Sequence, residues 1–221
     1  GVRLYTDYKE VMSMSVSNMY DQIAVRYEDL VLDSQYIGPV WIEKKLQSLT
    51  LPFRKYLDLG CATGTIGTII SELTPNSSIV GIDVSPEMIR IAESRNIYQS
   101  LHVHNLDEPL GHLISNDINV VTALGFSEFL SNPEQLLKEV HQLLSANGIC
   151  FMSFQLHDPS NAKLPRTTHS GEVVHNAYTE AEVKSMFERA GFNLTKLETL
   201  RGYVSSKGYE CYYIMVEASK A

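Results

Sequence analysis

Apolar and polar positions along this chain follow two alternating patterns, which predict strands and helices in turn. Short apolar runs at 56–59, 79–82, 118–123 and 149–155 are typical of buried strands. Between these runs, apolar residues recur every three or four positions, as they do in amphipathic helices. The clearest of these helices follows Asn132-Pro133. Strands that alternate with helices predict an α/β fold with a parallel sheet.

The end of the chain has a different pattern. Two apolar strands are predicted at 192–200 and 209–217, and only the turn at 201–208 separates them. A parallel crossover needs about a dozen residues or more, so these two strands should form an antiparallel hairpin. With a short strand at 101–104, we predict a seven-stranded, mostly parallel sheet whose seventh strand is antiparallel.

Two amphipathic helices are predicted ahead of the first strand. Apolar positions recur at helical spacing from 19 to 31, and Gly38-Pro39 begins a second helix because proline suits the first helical position. These helices can cover one mouth of the sheet. The 221 residues are enough for one sizeable core. We interpret residues 1–221 as a single domain, with lid helices at 1–50 and the core at 51–221.

Composition limits the partners of the protein. The net charge of -8 argues against nucleic acid or an anionic membrane, which are bound by clustered Lys and Arg, and favours a small-molecule substrate. Three cysteines without a C-x-x-C motif indicate neither a disulfide framework nor structural zinc, and no metal is expected. No apolar run has the length of a signal peptide or a membrane span. We therefore expect a soluble, cytoplasmic monomer or homodimer.

The candidate chemistry begins where the strand at 56–59 runs into a glycine-rich loop. Gly60, Gly64 and Gly67 permit backbone conformations that a Cβ would forbid, and they let a ligand approach the main chain. The helix that follows offers unpaired N–H groups to such a ligand. The next strand ends on Asp83, about 20 residues beyond the loop, where such folds place the carboxylate that binds a ribose.

These residues resemble the class I S-adenosylmethionine (SAM) dependent methyltransferases. That family has D-x-G-x-x-x-G after its first strand and an acid closing its second, and Asp58, Gly60, Gly64 and Asp83 match this pattern. The nicotinamide fingerprint G-x-G-x-x-G fits poorly, because Ala62 stands in place of its second glycine. The resemblance implies a three-layer Rossmann-like sandwich, SAM as cofactor, and methyl transfer to an oxygen or nitrogen of a small molecule.

The resemblance also implies roles for individual residues. The implied contacts are the methionine part of SAM on Asp58, Gly60 and Gly64, the ribose on Asp83, one adenine face on Val84 and Met88, the adenine edge on Asn105 and Leu106, and further cofactor contacts from Tyr20, Tyr27 and Leu124. Tyr20 and Tyr27 belong to a Tyr-Asp-x-x-Ala-x-x-Tyr pattern that covers the cofactor in resembling enzymes. Aromatic residues at helical spacing are equally often part of the core.

One position departs from the family pattern. Asn105 stands where resembling enzymes usually carry an aspartate beside the adenine, and Asp107 follows two positions later. An amide oxygen can still accept a hydrogen bond from the adenine amino group, although more weakly than a carboxylate. The departure affects the expected affinity and leaves the expected cofactor unchanged.

Whether catalysis needs a base depends on the protonation state of the nucleophile when it binds. Methyl transfer requires the nucleophile in line with the methyl group at about 3–3.5 Å, and it requires a base only if the nucleophile is protonated. The polar stretch 156–177, predicted as a long loop at the carboxyl end of a strand, holds His157, His169 and His175. We predict His157, which is nearest the strand end, as the leading candidate base and His175 as the second. The alternative is that they are solvated loop residues.

Parts of the sequence are compatible with two other functions. Tyr203 and Lys207 spell the Y-x-x-x-K of short-chain dehydrogenases, but that pair must lie one turn apart on a helix, and here it falls in the predicted hairpin. A protein of the same fold could instead bind SAM or a small ligand and catalyse a non-methylating reaction such as cyclisation, because fold does not fix function.

Overall fold

The computed structural model describes residues 8–49, 55–170 and 172–220 and is built on a seven-stranded sheet. The strands are β1 (Lys55–Leu59), β2 (Ser78–Asp83), β3 (Ser100–Val103), β4 (Ile118–Ala123), β5 (Leu144–Gln155), β6 (Thr167–Ser170), β7 (Val173–Asn176), β8 (Phe192–Val204) and β9 (Glu210–Lys220). The α-helices are α1 (Tyr8–Ile23), α2 (Tyr27–Asp33), α3 (Gly38–Gln47), α4 (Thr65–Leu73), α5 (Pro86–Ser94), α6 (Pro133–Leu143) and α7 (Glu180–Arg189). Short 3-10 turns lie at Ala24–Arg26, Gly111–Leu113 and Ser127–Phe129.

The main sheet has the strand order β3-β2-β1-β4-β5-β9-β8. Strands β1 to β5 pair in parallel, and β9 is antiparallel to both of its neighbours, β5 and β8. The predicted terminal hairpin and the mostly parallel sheet are therefore confirmed. The chain moves outward from β1 to β3 and then returns to β4 on the other side of β1. This change of direction creates the crevice at the carboxyl ends of β1 and β4 where open α/β sheets bind ligands.

The two faces of the sheet bury separate groups of apolar side chains. Successive residues of a strand point to opposite faces, so Leu57 joins one buried group and Tyr56 the other. The Leu57 side packs against α6 and α7 through residues such as Leu137 and Phe187. The Tyr56 side packs against α3 and α4. A central sheet between two helical layers is the three-layer Rossmann-like sandwich that the sequence predicted.

The polar stretch 156–177 is partly structured, so its prediction as a loop was wrong for 167–170 and 173–176. Strands β6 and β7 form an antiparallel hairpin in which Thr168 pairs with His175. Each strand begins with two consecutive β-branched residues, Thr167-Thr168 in β6 and Val173-Val174 in β7, and such residues favour extended backbone. These strands are four residues each, too short for their alternation to stand out in the sequence. The hairpin fixes the position of His175.

The N-terminal helices also differ from their prediction. The first helix begins at Tyr8, and the single helix expected over 19–31 is broken by the 3-10 turn Ala24–Arg26. The break turns Tyr20 and Tyr27 toward each other, with their ring centroids 6.3 Å apart in an edge-to-face contact. The predicted boundary between lid and core near residue 50 lies outside the described residues.

Candidate active site

The glycine-rich loop between β1 and α4 needs its glycines for two different reasons. Gly60 has φ +66°, and a Cβ there would lie 2.4 Å from the Phe126 ring. Gly64 has φ +95° and forms the N-terminal boundary of α4, with the Arg95 side chain packed against it. Ala62 also adopts a positive φ, of 49°, which is strained for a residue with a side chain. The loop therefore makes a tight turn at the carboxyl end of β1.

Asp83, the last residue of β2, connects this loop to the start of α5. Its carboxylate accepts hydrogen bonds from the backbone N–H of Ala62 and from that of Ser85, each at 3.0 Å. The residue is 8% exposed, and burial raises the pKa of its carboxyl to about 6. Each carboxylate oxygen keeps acceptor capacity beyond these bonds. Asp83 can thus hold the loop and still receive the hydroxyl groups of a ligand.

Asp58 lies behind the loop and is fully buried. Its two carboxylate oxygens accept hydrogen bonds from the hydroxyls of Tyr98, at 2.9 Å, and Thr122, at 3.0 Å. Burial raises the pKa of this carboxyl to about 7. Asp58 is absent from the described walls of both cavities presented below. In this position its effect on a ligand would pass through the loop it supports.

A first cavity with about 620 Å³ of empty space, including its opening, lies at the carboxyl ends of β1, β2 and β4. This size falls within the roughly 300–1,000 Å³ of small-molecule sites. Its walls are Val16, Tyr20, Tyr27, Gly60, Ala62, Asp83, Val84, Asn105, Leu106, Asp107, Leu124, Gly125, Phe126, Phe129 and Leu130. The cavity thus brings together most of the predicted cofactor residues, which come from the first half of the core and from the lid.

Two other predicted cofactor residues lie outside these walls. Gly64 faces Arg95 and Tyr98, away from the cavity. Met88 is completely buried in α5, and its backbone N–H is bonded to the hydroxyl of Ser85. These positions give the residues a part in shaping the loop and the helix. Direct contact with a cofactor remains a prediction for them.

Asn105 and Asp107 both reach the first cavity. The side-chain oxygen of Asn105 accepts a hydrogen bond from the backbone N–H of Asp107 at 2.9 Å. One carboxylate oxygen of Asp107 accepts from the backbone and hydroxyl of Ser131, at 2.9 and 3.1 Å. Each side chain is already fixed in place by the fold. The structure therefore offers two neighbouring acceptors where the sequence suggested one.

Helix α1 is fastened across the open edge of this cavity. The Ser17 hydroxyl donates to the carbonyl oxygen of Val84 at 3.1 Å. The carboxylate of Asp21 accepts from the Ser85 hydroxyl at 2.5 Å and from the Glu87 backbone N–H at 3.2 Å. An acidic side chain stabilises the start of a helix such as α5. These bonds place the lid helix over the ends of the strands.

A second cavity, with about 970 Å³ of empty space, adjoins the first. The two share Tyr20, Tyr27, Gly125 and Phe129 as walls. The other walls of the second cavity are Met19, Ile23, Leu30, Val31, Ser34, Tyr36, Glu128, His175, Tyr203, Val204, Ser205, Ser206 and Tyr213. Because the walls are shared, a molecule in the second cavity would lie directly beside one in the first.

Glu128 is a functional candidate that the sequence did not reveal. It lies in the 3-10 turn after β4 and is only 2% exposed. One carboxylate oxygen accepts a hydrogen bond from the Tyr213 hydroxyl, and the other, Oε1, has no partner among the described residues. Burial raises the pKa of this carboxyl to about 7. The available signal was a lone acid among apolar residues just beyond a core strand.

The two predicted catalytic histidines have different positions. His175 lines the second cavity, and its ring packs edge-on against Phe129 at 4.9 Å. Its Nε2 is buried and has no partner within the described part of the chain, and burial lowers the pKa of its imidazole. His157 lines neither cavity, and its Nδ1 lies 3.0 Å from the carbonyl oxygen of Leu164. Of the two, His175 is the one placed to meet a ligand.

The structure tests whether Tyr203 and Lys207 form the catalytic pair of a short-chain dehydrogenase. Tyr203 lies in β8 and lines the second cavity, whereas Lys207 lies in the exposed turn before β9. The pair therefore does not share a helix, and the dehydrogenase arrangement is not formed.

Over residues 8–49, 55–170 and 172–220, no group of three or more His, Cys, Asp or Glu side chains could hold a metal ion. None of the helices described is both long enough and apolar enough to span a membrane.

The strand order and the loop-and-acid site define an α/β protein that binds a nucleoside-containing ligand. Residues 57–150 match the family described as a methyltransferase domain. The match covers the stretch that carries the glycine loop and the acid closing β2, and it confirms the predicted resemblance to the class I SAM-dependent methyltransferases. Among curated proteins it is 27% identical over 157 residues to the malonyl-[acyl-carrier protein] O-methyltransferase of Bacillus cereus, covering 70% of this chain. The alignment spans 58% of that relative, which is less than two thirds of its length.

Solved structures share the fold at low sequence identity. A methyltransferase of Haloferax volcanii, solved in complex with the Trm112 methyltransferase activator, has a TM-score of 0.73 at 15% identity, covering 93% of this chain and 97% of that one. The [4+2]-cyclase SpnF has a TM-score of 0.68 at 14% identity, covering 95% of this chain and 97% of its own. The same architecture thus occurs in proteins with different reactions.

SAM is the cofactor of this family, and the residues of the first cavity fit it. The Asp83 carboxylate suits two ribose hydroxyls, and Val84 and Leu106 offer apolar surface to a flat ring. The side chains of Asn105 and Asp107 add polar groups at the same wall. The chemistry of the cavity walls therefore matches both the polar and the apolar parts of an adenosine.

Proposed function

We propose that this protein transfers the methyl group of SAM to an oxygen or nitrogen of a small molecule. The observation that carries the proposal is the second cavity, which shares Tyr20, Tyr27, Gly125 and Phe129 with the cofactor cavity. A substrate there would lie directly beside the cofactor. The short approach that methyl transfer needs is therefore available to it.

In this proposal, residues of the first cavity hold the cofactor. Asp83 accepts hydrogen bonds from the ribose hydroxyls, and Asn105 with Leu106 contacts the adenine edge. The backbone at Gly60 approaches the methionine part, and Tyr20 and Tyr27 close the wall toward the substrate. When bound, SAM supplies a methyl group on a sulfonium, and the neutral thioether of S-adenosylhomocysteine is the leaving group. The protein's tasks are then positioning and exclusion of water.

A protonated nucleophile would also need a base, and we propose His175 for this role. Burial lowers the pKa of the His175 imidazole, so it is neutral and able to accept a proton at physiological pH. Its Nε2 has no partner in the described structure. His157, the leading candidate from the sequence, lines neither cavity. The histidine nearest the strand end is thus the less suitable one.

The particular substrate is not carried over from a relative. The malonyl group named for the Bacillus cereus relative carries a carboxylate. The second cavity, in its described walls, contains Glu128 and neither Lys nor Arg. A carboxylate would meet a like charge there without a cation to pair with it. We therefore propose a neutral or cationic small molecule as the substrate.

The cysteines and the net charge of the protein bear on its cellular compartment and its partners. Cys61, Cys150 and Cys211 are all free thiols, as expected in a reducing compartment. The charge of -8 favours neither nucleic acid nor an anionic membrane as partner. We propose a cytoplasmic enzyme that acts as a monomer or homodimer, without a metal.

The test is a product-coupled assay. The purified protein is incubated with SAM and pools of small molecules, and S-adenosylhomocysteine (SAH) and methylated product are both measured by mass spectrometry. Methyl transfer requires the two in equal amounts. Conversion of a substrate without SAH would overturn the proposal. That outcome would favour a non-methylating reaction, as the likeness to the [4+2]-cyclase fold suggests.

A further inference from the structure

The second cavity combines aromatic rings with one carboxylate. Six of its described wall residues are aromatic: Tyr20, Tyr27, Tyr36, Phe129, Tyr203 and Tyr213. Glu128 is the acidic residue among the described walls, and its Oε1 has no partner there. The Tyr36 hydroxyl is likewise buried without a partner in the described structure. The cavity therefore presents acceptor groups that no protein donor satisfies.

The charge of this carboxylate is not balanced by the protein. Among the described walls there is no Lys or Arg, and burial lowers the pKa of the His175 imidazole and so keeps it neutral. Isolated buried charge is costly, and native proteins pair it with a partner or keep it protonated. The Tyr213 hydroxyl satisfies one oxygen of Glu128, which is a structural role. It leaves the other oxygen to be satisfied by a ligand.

The aromatic rings around Glu128 favour a cationic ligand, as its negative charge does. Burial raises the pKa of the Tyr20, Tyr36 and Tyr213 hydroxyls, so these side chains remain neutral. The face of a neutral aromatic ring carries negative electrostatic potential, and it attracts cations such as ammonium groups. A cation that donates N–H groups would therefore complement both the rings and the carboxylate.

A neutral hydroxyl group would complement the site less well. It can donate one hydrogen bond to Oε1, but it gains nothing from the ring faces. A hydrogen bond between an ammonium and a carboxylate is about twice as strong as one between neutral groups. A carboxylate on the ligand would be repelled by Glu128. The expected order of preference is thus ammonium, then alcohol, then carboxylate.

We propose that the second cavity receives a small molecule with a protonated amine, and that Glu128 determines this preference by accepting its N–H groups. The inference rests on the proposed function, which places the substrate in this cavity. Glu128 is then a specificity-determining residue that contacts the substrate. The substrate class is a small primary or secondary amine that also carries an apolar part for the surrounding rings.

The test compares three probes of matched size: phenethylamine, phenethyl alcohol and phenylacetate. Their binding to the full chain, saturated with SAH, is measured by titration calorimetry at about pH 8, where Glu128, with its pKa of about 7, is charged. We expect phenethylamine to bind at least about tenfold more tightly than the alcohol, and phenylacetate to bind weakest. Glu128→Gln should remove this preference and leave the affinity for SAH unchanged. Glu188→Gln, an exposed change on α7, is the matched control.

Equal or reversed preference, retention of the preference in Glu128→Gln, or no binding of phenethylamine at millimolar concentration would each overturn the inference. The ranking of the three probes on the unaltered protein needs no variant, so it remains decisive if Glu128→Gln does not fold. Formation of SAH from a hydroxylated substrate, without binding of the amine, would overturn this inference alone. The proposed methyl transfer would then stand.

Discussion

At the residue scale, Asp83 has two tasks. It holds the backbone of Ala62 and Ser85, and it forms part of the cofactor cavity. A ligand that binds its remaining acceptor positions would therefore also tighten the glycine loop. Substitution of Asp83 should affect binding through both routes.

We predict that Asp83→Ala weakens binding of SAM and SAH by about 1–3 kcal/mol, because ribose hydroxyls lose a buried acceptor. Titration calorimetry measures this directly, and NAD, titrated in the same way, should not bind to the unaltered protein. The matched control is Asp33→Ala, an exposed change at the end of α2. An unchanged affinity in Asp83→Ala, or measurable NAD binding, would contradict the assignment of the site.

Asn105 and Asp107 compete for the adenine contact, and one pair of variants separates them. If Asn105 accepts from the adenine amino group, Asn105→Asp should preserve or tighten SAH binding, because a charged acceptor makes the stronger bond. Asp107→Asn should then have little effect, since it keeps an oxygen for Ser131. Titration calorimetry of both variants is the measurement. Weakening in Asn105→Asp together with weakening in Asp107→Asn would assign the contact to Asp107.

The histidines give a third residue-scale prediction. His175→Ala should lower kcat by about 10²- to 10⁴-fold if a protonated nucleophile needs a base, because the loss is that of general-base catalysis. His157→Ala is the control, and its rate should stay within about threefold of the unaltered enzyme. SAH affinity, measured separately, should be the same in both variants. If His157→Ala lost the activity and His175→Ala kept it, the base would be the residue outside the cavities.

At the element scale, the lid is held to the core by a small number of bonds. Asp21 accepts hydrogen bonds from two groups at the start of α5, and Ser17 donates to the carbonyl of Val84. These contacts join α1 to the turn that follows Asp83, which itself lines the cofactor cavity. Opening of α1 and release of the cofactor should therefore be linked.

We predict that Asp21→Ala loosens the lid and speeds the release of SAH. Loss of a helix-capping acceptor costs about 0.5–2 kcal/mol, and part of that cost should appear in the dissociation rate. Stopped-flow measurement of SAH release is the test. Asp33→Ala, an exposed change at the end of α2, is the control. Equal release rates in the two variants would mean that the bonds of Asp21 do not control the lid.

At the scale of the whole molecule, three buried carboxyls influence stability. Burial raises the pKa of Asp58 to about 7, of Asp83 to about 6 and of Glu128 to about 7. In the unfolded chain these groups lose their protons at lower pH, near their ordinary values. Because the folded protein holds these protons more tightly, the three carboxyls stabilise it fully at pH values below the unfolded pKa values. This stabilisation is lost as pH rises through the folded pKa values. The three buried carboxyls therefore make the unliganded protein less stable at neutral pH than at acidic pH.

Glu128→Gln isolates one of these contributions. We expect the variant to gain stability relative to the unaltered protein as pH rises from about 5 to about 8, by up to roughly 3 kcal/mol, because glutamine does not ionise. Urea unfolding at a series of pH values, without ligand, is the measurement. Glu188→Gln should show no such trend. A difference in unfolding free energy that does not change with pH would show that Glu128 is already paired.

Local sequence patterns predicted the helices, the strands and the cofactor part of the site. Strand and helix periods are local properties of the chain, and so are the glycine loop and the acid that closes the next strand. Spacing alone also predicted the direction of the last strand, because the turn expected at 201–208, which the structure confines to 205–209, is too short for a crossover. The Thr168 and His175 hairpin was missed because its strands are too short for a visible period.

The side chains that meet in the second cavity could be identified only from the folded chain. Glu128, His175 and Tyr213 are far apart in the chain, and they line one cavity because β9 inserts between β5 and β8 and because the β6–β7 hairpin folds back over the site. Burial then changes their chemistry, since the pKa of a carboxyl or an imidazole depends on how much water it keeps. No local pattern carries that information. The cofactor site could therefore be predicted from a motif, whereas the substrate cavity is a property of the fold.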